Sequence, residues 1–193
     1  SVADFITRGT DIARVRRLRG NPAGYDREVW SQMAALGWLG ILVPEQYGGL
    51  DLGLAEAGIV AEGLGRALAP EPYTAAAVLA VNTIAAGDSA SLKAELLQRT
   101  ATGQTIAVLA WQESVGDSEP AETATRAIPF EGGYRLRGAK RFIAGAAGAD
   151  GYIVSARTDK DRIALFWIER GTPGVTLKLE TLADGRHFGA IAL

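Results

Sequence analysis

The chain has 193 residues, room for one large or two small domains, and its 20 Lys+Arg against 22 Asp+Glu are spread evenly. Residues 1–105 carry 9 basic and 11 acidic groups and residues 106–193 carry 11 and 11, so no basic face is set aside for nucleic acid or an anionic membrane. The absence of cysteine and the single histidine, His187, exclude disulfides, thiolate nucleophiles and Cys- or His-pair metal centres, and no metal site is expected. No apolar run reaches the roughly 18 residues of a membrane-spanning helix, and the chain does not open on a basic segment followed by an apolar one. A cytoplasmic protein without membrane insertion is therefore expected.

In chain order, the apolar spacing is first helical. Residues 4–19 predict an opening helix with Arg14, Arg16, Arg17 and Arg19 on a solvated face. Over 26–37, Asp26 stands at the N-cap, Val29, Trp30, Met33 and Leu36 form the stripe, and Gly37 stops the helix. The pattern repeats over 54–68 with Leu54, Ile59, Val60, Leu64 and Leu68. It continues over 73–86 with Tyr73, Ala77, Ala80, Val81 and Ile84, then over a helix capped by Asp88 or Ser89 that carries Leu92, Leu96 and Leu97.

After residue 104 the period is that of strands: 106–111, 125–130, 134–137, 152–156, 163–168 and 175–179. They are separated by turns such as Glu131-Gly132-Gly133, Thr158-Asp159-Lys160-Asp161 and Gly171-Thr172-Pro173-Gly174. His187 follows Asp184-Gly185 and reads as a solvated loop residue. A run of helices followed by a run of strands predicts an α+β chain: an N-terminal helical bundle over 1–104 and an antiparallel β barrel or sandwich over 105–193.

No phosphate-binding loop, nucleophile elbow or H-E-x-x-H is present, and Gly63-x-Gly65 does not follow a strand, which removes a dinucleotide-binding reading. Two other features stand out. One is the run Gly37-Trp38-Leu39-Gly40-Ile41-Leu42-Val43-Pro44-Glu45-Gln46-Tyr47-Gly48-Gly49. The other is the pair Leu109-Ala110-Trp111-Gln112-Glu113-Ser114 and Lys140-Arg141-Phe142-Ile143-Ala144-Gly145, each with a large aromatic beside small or polar residues at a strand end. A flat conjugated ligand needs such apolar walls and edge-on polar groups. Ordinary sandwich packing uses the same residues, and residue chemistry alone does not choose.

These motifs, in this order, resemble the N-terminal helical and middle β domains of the acyl-CoA dehydrogenase family over the whole chain, most specifically at G-W-L-G-x-x-x-P-E-x-x-G-G. The resemblance implies an FAD-dependent enzyme that removes hydrogens from Cα and Cβ of an acyl-CoA to give a 2-enoyl-CoA. Its electrons would pass to electron-transfer flavoprotein or a similar acceptor. The family's ALTEPxxGSD strand motif falls on Ala110 to Glu119. Glu113 matches the acidic residue and Ser118 the serine near the thioester, while Leu109, Trp111 and Gln112 fall beside the flavin ring. The W-I-T-N segment falls on Phe142, Ile143, Ala144 and Gly145, again against the ring.

This sequence departs from the pattern where the family's threonines offer hydroxyls to the flavin edge. Gln112 keeps hydrogen-bonding groups, but Ala144 has none, so one flavin hydrogen bond must come from backbone or be lost. The family's catalytic carboxylate belongs to a third, C-terminal helical domain, and no catalytic residue is assigned in this chain. The resemblance implies a homo-oligomer. A hetero-oligomer, with this chain as flavin-poor partner subunit, and a flavin monooxygenase of the same fold are the alternatives.

Overall fold

The computed structural model describes residues 2–9, 11–159 and 162–193, and divides into two compact units, Ser1–Ile106 and Ala107–Leu193. The first is helical: α1 (Val2–Gly9), α2 (Ile12–Leu18), α3 (Arg27–Ala35), α4 (Leu54–Arg66), a π-helical segment (Thr74–Ala80) running into α5 (Val81–Ala86), and α6 (Ala90–Ala101). Asp26 caps α3 by accepting from the Glu28 amide, and Ser89 rather than Asp88 caps α6 by accepting from Leu92. Tyr73, Ala77, Ala80, Val81 and Ile84 are all buried, so the stripe expected over 73–86 faces the core; of those on α3 and α6, Trp30, Met33, Leu96 and Leu97 are buried, but Leu36 and Leu92 are exposed.

The run from Gly37 to Gly49 is a tight reversal. Gly37, at φ 77°, ends α3, a 3-10 turn spans Trp38–Gly40, and a second spans Glu45–Tyr47 after Pro44. The chain then doubles back: the amides of Leu50, Leu52 and Asp51 donate to the carbonyls of Gly40, Ile41 and Val43 at 2.9, 2.8 and 3.0 Å. Such closeness requires glycine at 49, since a Cβ there would lie 1.9 Å from the Val43 carbonyl oxygen.

Three further expectations need correction in this unit. The opening helix is two helices, the second starting at Asp11, whose carboxylate accepts from the Ala13 amide. Arg14 does not belong to the solvated face with Arg16, Arg17 and Arg19; it is buried and ion-paired with buried Glu71. On α4 the buried face is Ala57, Val60 and Leu64, while Leu54, Ile59 and Leu68 are each more than 60% exposed.

The second unit carries β1 (Ala107–Ala110), β2 (Arg126–Phe130), β3 (Gly133–Arg137), β4 (Ala139–Ala144), β5 (Gly151–Asp159), β6 (Arg162–Glu169), β7 (Thr176–Thr181) and β8 (His187–Ala192). The longest, β5, organises one sheet. On one edge it pairs antiparallel with β6; on the other it meets β1 along Gly151–Val154 and β2 at Arg157, and β2 pairs onward with β3. A smaller sheet has the order β4-β8-β7.

The α+β organisation is as expected, but the ladders are mixed, β1 and β2 running parallel to β5, and neither sheet closes into a barrel among the described residues. His187 is not a loop residue; half-buried, it opens β8 opposite Thr181. Lys160 and Asp161 of the expected turn lie outside the described residues. Among those described, no helix is long and apolar enough to cross a membrane, and no group of three His, Cys, Asp or Glu could hold a metal ion.

Candidate functional site

The end of β1 and the strand β4 meet in the second unit. The Arg141 amide donates to the Gln112 carbonyl at 2.8 Å, and the Lys140 ammonium to the Trp111 carbonyl at 3.1 Å. The two segments singled out in the sequence are thus bonded to one another, which gathers Trp111, Gln112, Phe142 and Ala144, all half-buried, around one strand-end junction. Leu109 is half-buried on β1 opposite Ile153. Ile143 is 1% exposed, so its side chain belongs to the core.

Phe142 sits at an irregularity of β4. The pairing with β8 shifts register between Lys140 and Ile143, and Phe142 takes φ 56°, a left-handed conformation that costs a non-glycine residue about 1 kcal/mol or more. The bulge interrupts the alternation of side chains, and the Arg141 guanidinium lies 5.0 Å from the Phe142 ring centroid while holding Glu180 at 2.8 Å. Strain of this kind gathers where a side chain is re-aimed for function.

Beyond β1 the chain turns around Asp117. Its carboxylate accepts from the amides of Glu113 and Ser114, both at 2.8 Å, and from the Ser114 hydroxyl; these bonds, the hydroxyl's first, hold it below the usual carboxylate range. The Gln112 side-chain amide donates to the Asp117 carbonyl at 3.1 Å, so one of its two N–H donors is committed to the loop. Ser118, the next residue, is exposed.

Beneath the junction lies a polar cluster that the sequence did not reveal. Glu113 accepts from the hydroxyls of Thr123 and Thr125 at 2.6 Å, the amides of Ala124 and Thr125 at 2.8 Å, and Lys140 at 2.8 Å. Lys140, with a side chain 0% exposed, also donates to Thr123 and Ser155. Burial pushes the Glu113 carboxyl up, but the bonds from Lys140, Thr123 and Thr125 outweigh it and hold the group at about 2. Burial draws the Lys140 ammonium below its ordinary value, opposed by Glu113. The forewarning was a lysine, beside Arg141, in a strand whose other residues are apolar.

The lowered value of Glu113 fixes a pH dependence. A carboxyl with a folded value below its ordinary 4.5 contributes stability above that pH and loses it as pH falls toward 2. Stability should therefore drop between pH 4.5 and 2, and Glu113→Gln should flatten that limb; denaturant midpoints across the range check it, and an unchanged slope would remove Glu113 as its source.

A separate cleft of about 680 Å³, lined chiefly by Phe130, Tyr134, Arg135, Phe166 and Trp167, includes none of these residues.

The acyl-CoA dehydrogenase N-terminal domain signature matches residues 1–104 and the acyl-CoA dehydrogenase middle domain signature residues 108–190. The chain belongs to the acyl-CoA dehydrogenase family. Relatives of this family member include the L-prolyl-(peptidyl-carrier protein) dehydrogenase of a Serratia species, 32% identical over 161 residues, with 78% of this chain and 41% of that protein covered. Similar solved structures include the ChsE4–ChsE5 complex of Mycobacterium tuberculosis, at TM-score 0.88 and 28% identity, covering 100% of this chain and 51% of that one. The FAD complex of PigA matches at TM-score 0.76 and 29% identity, covering 87% and 47%. This acyl-CoA dehydrogenase family chain thus spans about two fifths to half the length of these relatives.

Proposed function

We propose that the chain binds FAD at the junction of β1 and β4 and takes part in the dehydrogenation of an acyl thioester, an acyl-CoA giving a 2-enoyl-CoA. In this reading its two parts, divided near residue 104, serve as the N-terminal and middle domains of such an enzyme. The observation that carries it is the bonding of the Trp111–Gln112 segment to the strained Phe142 strand, in a chain whose relatives include an FAD complex.

The residues fit a flat ring. Phe142 and Trp111 offer apolar walls, and the Gln112 amide N–H has no acceptor among the described residues, leaving a donor for a ring edge. Ala144 offers no hydroxyl. Bound there, FAD would supply the acceptor for the hydride leaving Cβ. The chain's own residues would orient the ring, and exposed Ser118 would lie nearer the thioester. Glu113 and Asp117 are committed to internal hydrogen bonds, so neither is free to take the Cα proton. That base would come from elsewhere in the assembly, and electrons would leave to electron-transfer flavoprotein or a similar acceptor.

A second reading makes this chain the flavin-poor subunit of a hetero-oligomer. It is favoured by Ala144, by the engagement of the Gln112 side chain, and by likeness to a two-component complex.

Full-length protein purified alone and together with a paralogous partner tests both. Flavin absorbance in the protein alone, bleached by an acyl-CoA, is the expected result. Bound flavin that no acyl thioester reduces would sink the dehydrogenase in favour of a monooxygenase-like activity, and flavin appearing only with the partner would establish the second reading.

A further inference from the structure

Between Trp111 and Ser114 much of the backbone polarity is already engaged. The amides of Glu113 and Ser114 go to the Asp117 carboxylate, the Gln112 carbonyl accepts from Arg141, and the Trp111 carbonyl from Lys140. The amide N–H of Gln112 has no acceptor within the described residues. It belongs to the same peptide unit as the Trp111 carbonyl. Among the described residues no peptide bond is cis, so the free N–H points away from the carbonyl that Lys140 holds.

A fully buried ammonium is costly, and an apolar side chain would fill the same space without desolvation. Lys140 makes one contact that a purely structural residue would not need: it places a positive charge on one end of a conjugated peptide unit whose other end is an unused donor. Charge drawn toward the carbonyl oxygen strengthens the N–H as a donor, as in any hydrogen-bonded chain. Glu113 neutralises the ammonium, and Thr123 and Ser155 fix its position, at 2.8, 2.7 and 3.0 Å.

We propose that Lys140 is a positioning residue for the cofactor, which aims and polarises the Gln112 N–H as the donor to an acceptor on the flavin edge, in place of the hydroxyl that Ala144 lacks. The inference rests on the FAD reading above. A donor at an electron-rich ring edge favours the reduced over the oxidised ring, so the lysine raises the midpoint potential as well as the affinity.

The test measures FAD dissociation constant, midpoint potential and thermal midpoint of the full-length protein and of Lys140→Met/Glu113→Gln, which removes both charges together so that neither is left buried without its counter-charge. Lys140→Gln, a neutral donor too short to reach Trp111, is the second variant should the first not fold. The expected result is a folded variant with FAD affinity weakened about tenfold and a more negative potential. A folded variant with unchanged affinity and potential, whether or not it melts earlier, would overturn the role. Wild-type protein that takes up no FAD would overturn the FAD reading itself, which is distinguishable because it appears before any substitution.

Discussion

Replacing Arg14 by Met should destabilise the helical unit by about 3–5 kcal/mol, the cost of leaving a buried charge without its partner. Arg14 on α2 donates through Nη2 to Glu71, and the two side chains are 9% and 0% exposed. Arg14 Nε and Nη1 and Glu71 Oε2 have no partner among the described residues, so the pair is held by one contact in a buried setting. Removing the arginine strands a carboxylate that water cannot reach. Removing both, as Arg14→Met/Glu71→Leu, should return most of the loss, because apolar residues of similar volume often replace a buried pair at little cost. Denaturant unfolding of the wild type and the two variants checks this. A single variant within 1 kcal/mol of wild type would mean that Glu71 finds solvent or another donor.

What the sequence disclosed depended on whether the signal was local. Asp26 and Ser89 cap the helices they precede because capping involves only the next two or three residues. Arg14 was hidden among four arginines, since nothing nearby marks which of them meets a residue 57 positions away. The π-helical turn at Thr74–Ala80 keeps the same small-residue stripe as an α-helix and left no trace. Strand β8 was missed because Gly189, Ala190 and Ala192 have little strand preference; pairing with β4 on one side and β7 on the other overrides it. Parallel pairing of β1 with β5 joins segments separated by β2, β3 and β4, a matter of topology rather than period.

The candidate site followed the same division. Motif resemblance pointed to Trp111, Gln112 and Phe142 as strand-end residues, and the bond between Arg141 and Gln112 joins their two segments. The left-handed Phe142 was not legible, because a bulge is set by the register of β4 on β8 and not by the residue itself. Nor was Ile143 separable from its neighbours, although its side chain turns into the core. The Glu113 cluster draws donors from a loop and β4 and an acceptor from β5, and its central pair is 27 residues apart.

That cluster gives the second large effect: Glu113→Ala should destabilise the β unit by about 3–5 kcal/mol. The carboxylate receives two threonine hydroxyls, two backbone amides and the Lys140 ammonium. Truncation would leave the ammonium, whose side chain is fully buried, with only neutral acceptors in Thr123, Ser155 and the Trp111 carbonyl. It would also unfasten the segment 123–125 from the end of β1, because the amides of Ala124 and Thr125 lose their acceptor together. Glu113→Gln keeps an acceptor oxygen and should cost less than half as much. The ordering wild type, Gln, Ala in thermal midpoint is therefore the result to look for. Equal loss in the two variants would show that the charge on Glu113, rather than its accepted hydrogen bonds, holds the segment. An Ala variant as stable as wild type would mean that water enters and solvates Lys140, and the cluster would then have no part in fixing the junction of β1 and β4.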